Sequence, residues 1–372
     1  MNKIKVMTVF GTRPEAIKMC PIIQELEKNN EAFESIVVST GQHRQMMDQV
    51  LSTFRITVDY DLNIMKKNQT LAEITSNVLV KLDDIIKDIQ PDVVLVHGDT
   101  TTTLTATLAA FYNQVKVGHV EAGLRTGNKL SPFPEEINRR LTDAMADIYF
   151  APTIASKDNL IKENFNSKDI YITGNTAIDA LKKTINNNRS VKNFKKHDHR
   201  NRLILLTMHR RENQGEPMEN VFSVVREIVD SYQDLEVVFP VHLNPRIKKI
   251  ADKVLDNHNR IHLIDPLDVV DFHNLMASSY MILTDSGGIQ EEAPSLGIPV
   301  LVLRDTTERP EGVDAGTLKL IGTEREHVKK NIIELIESEK IYNVMAGATN
   351  PYGDGTAAQK IVEILKKTSN KL

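Results

Sequence analysis

The chain has 372 residues, more than one apolar core usually supports, so two domains are expected. Its net charge of −4, with both signs mixed along the sequence, excludes a general nucleic-acid binder, which carries a basic face. No apolar run approaches the roughly 20 residues that span a bilayer, the opening apolar run of about six is too short for a signal-peptide core, and a lone Cys20 forbids an intrachain disulfide; these features together point to the cytoplasm and against a membrane partner.

Short β-branched runs at 5–10, 35–40, 93–97, 117–120 and 148–151 alternate with amphipathic stretches at 15–28, 71–88 and 101–112. Strands that are apolar on both faces and alternate with helices predict a parallel sheet covered on both sides. The segment 186–202 is polar and basic without apolar period, and reads as an exposed loop after a domain crossover near 174–176. The alternation resumes at 203–208, 236–241, 261–263, 280–284, 300–303 and 318–321, and 357–367 has the period of a C-terminal helix. The expected fold class is therefore α/β, with two domains of the same design, each built on a parallel sheet. The first spans 1–174 with the returning helix in 355–372, and the second spans 175–354.

Charge, glycine and histidine gather just past the predicted strands. In chain order the clusters are Gly11-Thr12-Arg13-Pro14-Glu15, Gly41-Gln42-His43-Arg44-Gln45, Gly98-Asp99-Thr100 and Glu121-Ala122-Gly123-Leu124-Arg125 in the first half. The second half has His209-Arg210-Arg211-Glu212-Asn213, His242-Leu243-Asn244, Asp285-Ser286-Gly287-Gly288 and Arg304-Asp305-Thr306-Thr307-Glu308-Arg309. Ligands of open α/β sheets bind outside the carboxyl ends of the strands. Turn and capping chemistry accounts for the Asp, Thr and Gly of these clusters, but poorly for their Arg, His and Gln.

Two loops suit a phosphate. Ser286-Gly287-Gly288 opens a helix, where free N–H groups and the helix dipole favour an anion, and Glu292 one turn on can accept from a ribose diol. GTRPEAIK places Arg13 before a helix and Lys18 one turn inside. Neither is a Walker motif, and GxGxxG is absent, so no dinucleotide is indicated. Among the carboxylates, Asp99 and Glu121 each follow a buried strand, and Glu135 lies in SPFPEE, where Glu135 or Glu136 suits a helix cap. His209 and His242 follow strands, whereas His97 and His119 lie inside strand runs and read as core residues. His197-Asp198-His199 reads as a solvated loop, and without HExxH or Cys-rich spacing no metal is expected.

Eight stretches taken together, GTRPEAIK (11–18), HGDTTTT (97–103), GHVEAGLRT (118–126), PFPEEINRR (132–140), TGNTAIDAL (173–181), HRREN (209–213), TDSGGIQEEAPSLG (284–297) and RDTTERPEG (304–312), make the chain closely similar to the non-hydrolysing UDP-N-acetylglucosamine 2-epimerases of bacteria. The resemblance implies a glycosyltransferase-B-like fold with the active site in the interdomain cleft, no cofactor, and a homodimer. It implies UDP-N-acetylglucosamine and UDP as ligands, and a role in cell-surface polysaccharide synthesis. By motif, Arg13, Lys18, Phe272, Ser286, Gly287, Gly288, Glu292 and Arg309 match UDP-sugar-binding positions, and Asp99, Glu121, Glu135 and His209 match catalytic ones. Gln42, Gln45, Glu136, Arg210 and His242 match a second, activating substrate site, from which a basic residue is missing at Asn68.

The family reaction is elimination of UDP from C1, with loss of the C2 proton to give a 2-acetamidoglucal, and re-addition after C2 is protonated from the other face. Positive charge then builds on the sugar and negative charge on the diphosphate. Acid and base are needed on opposite faces of C2. The residues leave open which of Asp99, Glu121 and Glu135 does which.

Overall fold

The computed structural model describes residues 3–41, 44–66, 69–186 and 200–368, to which all structural statements below refer. Two compact units divide the chain: Met1–Ala180 with Tyr352–Leu372, and Leu181–Pro351.

The first unit is built on β1 (Ile4–Phe10), β2 (Phe33–Ser39), β3 (Tyr60–Asp61), β4 (Val93–His97), β5 (Lys116–Val120), β6 (Ile148–Ala151) and β7 (Ile170–Ile172). Between them run α1 (Arg13–Lys28), α2 (Arg44–Phe54), α3 (Leu71–Ile89), α4 (Thr101–Tyr112), α5 (Glu135–Met145) and α6 (Ile154–Lys162), with α7 (Thr176–Thr184) last. The strand order is β3-β2-β1-β4-β5-β6-β7 and every pairing is parallel. Val93–His97 is buried along its whole length, because helices cover both faces of the sheet. Met7, Val9, Val94 and Val96 pack with Val78 and Leu82 of α3 and Ala106 and Ala110 of α4 into one apolar layer.

The threonine-rich α4 is helical despite its β-branched residues. Thr105 and Thr107 donate back to the carbonyls of Thr101 (2.6 Å) and Thr103 (2.9 Å), so their hydroxyls are satisfied inside the helix.

In the second unit β8 (Arg202–Thr207), β9 (Leu235–Pro240), β10 (Ile261–Ile264), β11 (Met281–Thr284), β12 (Val300–Val302) and β13 (Leu318–Leu320) alternate with α8 (Glu216–Ser231), α9 (Pro245–Leu255), α10 (Val269–Ala277), α11 (Gly287–Glu292), α12 (Pro310–Asp314), α13 (Arg325–Glu337) and α14 (Glu339–Ala346). Its order, β10-β9-β8-β11-β12-β13, is again wholly parallel. Phe222, Val225 and Val229 of α8 and Val328 and Ile332 of α13 fill one face, and Leu275, Ile282, Ile289 and Val300 lie in the cluster on the other. The last helix, α15 (Ala357–Thr368), belongs to the first unit and buries Ile361, Val362 and Leu365. Asp179 on α7 caps it, accepting from the backbone N–H groups of Ala357 (3.2 Å) and Ala358 (2.9 Å).

Each sheet has one point where the strand order reverses, between β1 and β4 in the first and between β8 and β11 in the second. At such a point the loops leaving adjacent strands run to opposite sides and leave a crevice.

Candidate active site

At the first reversal, the loop after β1 and the turn after β4 are joined by one carboxylate. Glu15, 2% exposed, accepts from the backbone N–H groups of Gly11 (3.1 Å) and Thr12 (2.7 Å). It also accepts from the hydroxyls of Thr100 (2.6 Å) and Thr103 (3.0 Å). Four donors offset the cost of burying the charge. The Glu of GTRPE is thus a clamp that fixes Arg13, the first residue of α1, relative to the Asp99 turn.

Asp99 is held by Arg139 of α5, whose Nε lies 3.1 Å away and whose Nη2 forms the ion pair, while Asn138 Nδ2 donates to the Asp99 carbonyl (2.9 Å). Arg139 also meets Glu136 (2.8 Å). The helix α5 begins at Glu135, as the SPFPEE spacing predicts, and the two glutamates part company there. Glu136 is buried and accepts from the backbone N–H groups of Thr126 (3.0 Å) and Gly127 (3.2 Å), tying down the loop before the helix. Glu135 has a buried Oε2 with no hydrogen-bond partner.

Glu121 follows β5 with φ of 67°. Side chains other than Gly and Asn avoid this left-handed region, at a cost of roughly 1–2 kcal/mol. Two bonds to the Phe150 carbonyl, from Glu121 N (3.1 Å) and Ala122 N (3.2 Å), hold the turn. The carboxylate is ion-paired with Lys18 and accepts from Asn175 Nδ2 (3.0 Å), and His97 Nε2 lies 3.5 Å away without a hydrogen bond. Burial pushes the Glu121 carboxyl up, but the charges of Lys18 and His97 outweigh it and hold the group well below the usual carboxylate range. Asp99, Glu121 and Glu135 therefore have three different settings: an ion pair with Arg139, an ion pair with Lys18, and a partnerless buried oxygen.

Both histidines read as core residues are buried, but only His119 is satisfied, with Asp143 Oδ1 at 2.6 Å and the Gly98 carbonyl at 2.8 Å. His97 faces Glu121 instead. Composition gives no hint of this; the β4–β5 register, which sets His97 opposite Val120, does. Arg139 and Asn175 lie in the quoted motifs PFPEEINRR and TGNTAIDAL, yet their contacts depend on packing that no local pattern reports.

In the second unit, Asp285 organises the loop after β8. Fully buried, it accepts from the N–H groups of His209 (2.9 Å) and Arg210 (2.8 Å) and from Asn213 Nδ2 (3.0 Å). The His209 ring stacks on His242, with centroids 5.6 Å apart and planes at 16°. His242 Nδ1 accepts from the Asn244 N–H (3.1 Å). Burial lowers the His209 pKa, and the nearby His242 and Arg210 lower it further against the pull of Asp285. The imidazole is therefore biased toward its neutral form.

Ser286 precedes α11, whose helical path continues as a 3-10 turn to Leu296. Arg309 reaches this turn and is fixed by Glu291, with Nε 2.7 Å from Oε1. A Cβ on Gly287 would come within 2.6 Å of Arg309 Nη1 and 2.9 Å of Cζ. Glycine is thus required for the guanidinium to lie beside the N-terminal amides. Glu292 faces His273 Nε2 at 3.6 Å, and Phe272, half-buried, packs on the apolar layer with Leu267. Gln42, His43, Lys67, Asn68, the side chains of Arg44 and Gln45, and the His197–His199 loop lie outside the described residues. Among the described residues no cluster of His, Cys, Asp and Glu could hold a metal ion, and no helix is long and apolar enough to cross a membrane.

Two Rossmann-like parallel-sheet domains in one chain, each with its polar cluster at the strand-order reversal, define the glycosyltransferase-B-like class. The family model described as UDP-N-acetylglucosamine 2-epimerase matches residues 24–366. The UDP-N-acetylglucosamine 2-epimerase of Bacillus subtilis is 61% identical over 98% of this chain and 96% of that protein. The Neisseria meningitidis UDP-GlcNAc 2-epimerase solved with UDP-GlcNAc superposes with a TM-score of 0.90 at 51% identity, covering 98% of this chain and 100% of that one. Staphylococcus aureus MnaA solved with UDP gives 0.91 at 53% identity, covering 99% and 98%. The chain belongs to the UDP-N-acetylglucosamine 2-epimerase family and is an enzyme of it.

Proposed function

We propose that the chain interconverts UDP-N-acetylglucosamine and UDP-N-acetylmannosamine without net hydrolysis, by elimination and re-addition of UDP. The observation that carries the reading is the set of three carboxylates in three different environments at the first unit's strand ends. Glu121, kept ionised, stabilises the positive charge that develops at C1 as the C1–O bond breaks and its electron pair leaves on the diphosphate. Asp99, in its ion pair with Arg139, takes the C2 proton, and the C1–C2 double bond of the glucal forms. Glu135, whose free oxygen has no internal partner, returns a proton to the opposite face of C2, and the diphosphate oxygen re-attacks C1. Asp99 and Glu135 exchange roles in the reverse direction. Formation of the C2 epimer from the nucleotide sugar alone, followed by NMR, tests this; turnover only with an added acceptor sugar would identify a glycosyltransferase instead.

The second unit supplies the diphosphate site, through Arg309, His209 and the Ser286–Gly288 amides, with Glu292 on the ribose and Phe272 at the base; Arg13 and Lys18 belong to the same reading. A bound diphosphate favours protonated His209, raising a pKa that is depressed in the free enzyme. UDP binding should accordingly take up a proton and tighten as pH falls from about 8 to about 6, the range in which an imidazole titrates. Calorimetry in two buffers of different ionisation enthalpy measures the uptake, and buffer-independent heats would contradict it.

A homodimer belongs to the same proposal. Val80 on α3, Phe111 and Tyr112 on α4, and Ile137 and Leu141 on α5 are exposed, and α4 packs against both other helices. Large exposed apolar side chains on adjoining helices support an association surface. Wild type should sediment as a dimer and Leu141→Glu as a monomer; a monomeric wild type removes the proposal. Substrate activation involving Gln42, Gln45, Glu136, Arg210 and His242 requires sigmoidal velocity curves, and a hyperbolic curve removes it. Supply of a cytoplasmic sugar donor for cell-surface polysaccharide is checked by loss of N-acetylmannosamine from the surface polymer of a deletion strain.

A further inference from the structure

We propose that His119 is a positioning residue for this reaction, fixing through the Gly98 carbonyl the turn that carries Asp99 beside Glu121; the inference rests on the epimerase reading above.

His119 lies two residues before Glu121 on β5, and Gly98 one residue before Asp99 at the end of β4. The strands are parallel neighbours, with Val96 opposite His119 and His97 opposite Val120. Gly98 has φ of +67° and its N–H donates to the Val120 carbonyl (2.9 Å), so its amide side is already tied to β5. Its carbonyl side is tied by His119 Nε2 at 2.8 Å. A glycine in this conformation has little of its own to stop the following peptide from turning over. The imidazole N–H supplies that restraint, and the peptide it restrains leads directly into Asp99.

The ring is in turn fixed from behind. Nδ1 lies 2.6 Å from Asp143 Oδ1, and Asp143 Oδ2 meets Arg125 Nη1 at 2.8 Å. Arg125 continues to Glu163 through Nε (2.9 Å) and Nη2 (2.8 Å). Both partners of the ring are acceptors: a carbonyl has no proton to give, and Asp143 is paired with a guanidinium. The ring nitrogen that meets the Gly98 carbonyl therefore donates, and the other lies against the Asp143 carboxyl. Loss of either bond would leave a polar group unsatisfied in a place closed to water, where both His119 and Asp143 are 0% exposed. His119, Asp143, Arg125 and Glu163 thus form one continuous polar array behind the Gly98 turn. None of the four groups is needed to touch the sugar.

Two substitutions separate the two bonds. A glutamine amide nitrogen reaches about as far as the imidazole Nε2, and an asparagine nitrogen only as far as Nδ1. His119→Gln therefore keeps a donor for Gly98, whereas His119→Asn keeps one for Asp143 alone. Both variants should lose thermal stability. With kcat normalised to the folded fraction seen by circular dichroism, His119→Asn should lose about 100-fold, the scale of a 1 Å misplacement. KM should stay within about threefold, because the interaction affects the transition state more than substrate binding. His119→Gln should keep kcat within about threefold by the same measure.

Wild-type kcat in folded His119→Asn, or a 100-fold loss in folded His119→Gln, would overturn the proposal. If His119→Asn does not fold, the Gln result alone decides. Wild-type enzyme in the same assay separates the two levels: no epimer from wild type defeats the functional reading, whereas an active wild type beside a fully active His119→Asn defeats only this inference.

Discussion

Asp99→Asn should lower kcat by about 1,000-fold or more while leaving the fold intact, since removal of a positioned proton-transfer group costs in that range. The substitution preserves shape and one acceptor oxygen for Arg139, and Arg139 keeps its second partner, Glu136, at 2.8 Å. No buried cation is stranded, so the melting temperature should move by only a few degrees. Epimer formation by NMR beside a melting curve checks both halves. Activity within tenfold of wild type would remove Asp99 from the proton transfer. A large loss of melting temperature would instead make its contact with Arg139 chiefly structural.

Glu121→Gln should behave differently, because the carboxylate is a structural counter-ion as well as the group proposed to stabilise charge at C1. Lys18 and Glu121 have side chains 14% and 10% exposed, so the variant breaks their ion pair where water screens charge poorly. Breaking a buried pair from one side costs about 3–5 kcal/mol, which for a domain of this size lowers the melting temperature by roughly 10 °C. The sign of the pH dependence follows from the depressed carboxyl. Near the ordinary carboxylate pKa the unfolded chain binds the proton and the folded chain does not, so stability rises with pH there. The pair's contribution is complete above about pH 5 and is lost as pH falls through the lower folded value. The gap between wild type and Glu121→Gln should therefore be widest near neutrality and shrink in acid. A constant gap would show that the side chain acts by shape alone. Loss of activity should accompany the stability change, since in the proposed reaction this anion stabilises the developing positive charge.

Much of this arrangement was legible before the structure, for a physical reason. Buried parallel strands are continuous apolar runs, so β4 and β6 have the bounds read from sequence, and the polar residues just beyond a run fall at the sheet's carboxyl edge by construction. That logic located Asp99, Glu121, His209 and the Ser286–Gly288 turn. It missed β3 and β7, which at two and three residues are too short to show periodicity. It also left His97 and His119 indistinguishable, since both are histidines within strands; the neighbouring strand's register and Asp143, 24 residues away, distinguish them. The different fates of Glu135 and Glu136 were hidden for a similar reason. They are adjacent in sequence, but one turns back to the Thr126–Gly127 amides and the other does not. The reaction itself came from the motifs taken together, and the structure adds which groups hold them in place.

The proposed reaction is C2 epimerisation through a proton exchanged with water while UDP is eliminated and recaptured. Incubating the wild-type enzyme with UDP-N-acetylglucosamine alone in D₂O and following the C2 position by NMR tests it most directly. The expected products are the manno epimer and deuterium at C2 of both nucleotide sugars, with no net accumulation of free UDP as the mixture equilibrates. An inert substrate, inversion without deuterium, or steady release of UDP with a free sugar would contradict it.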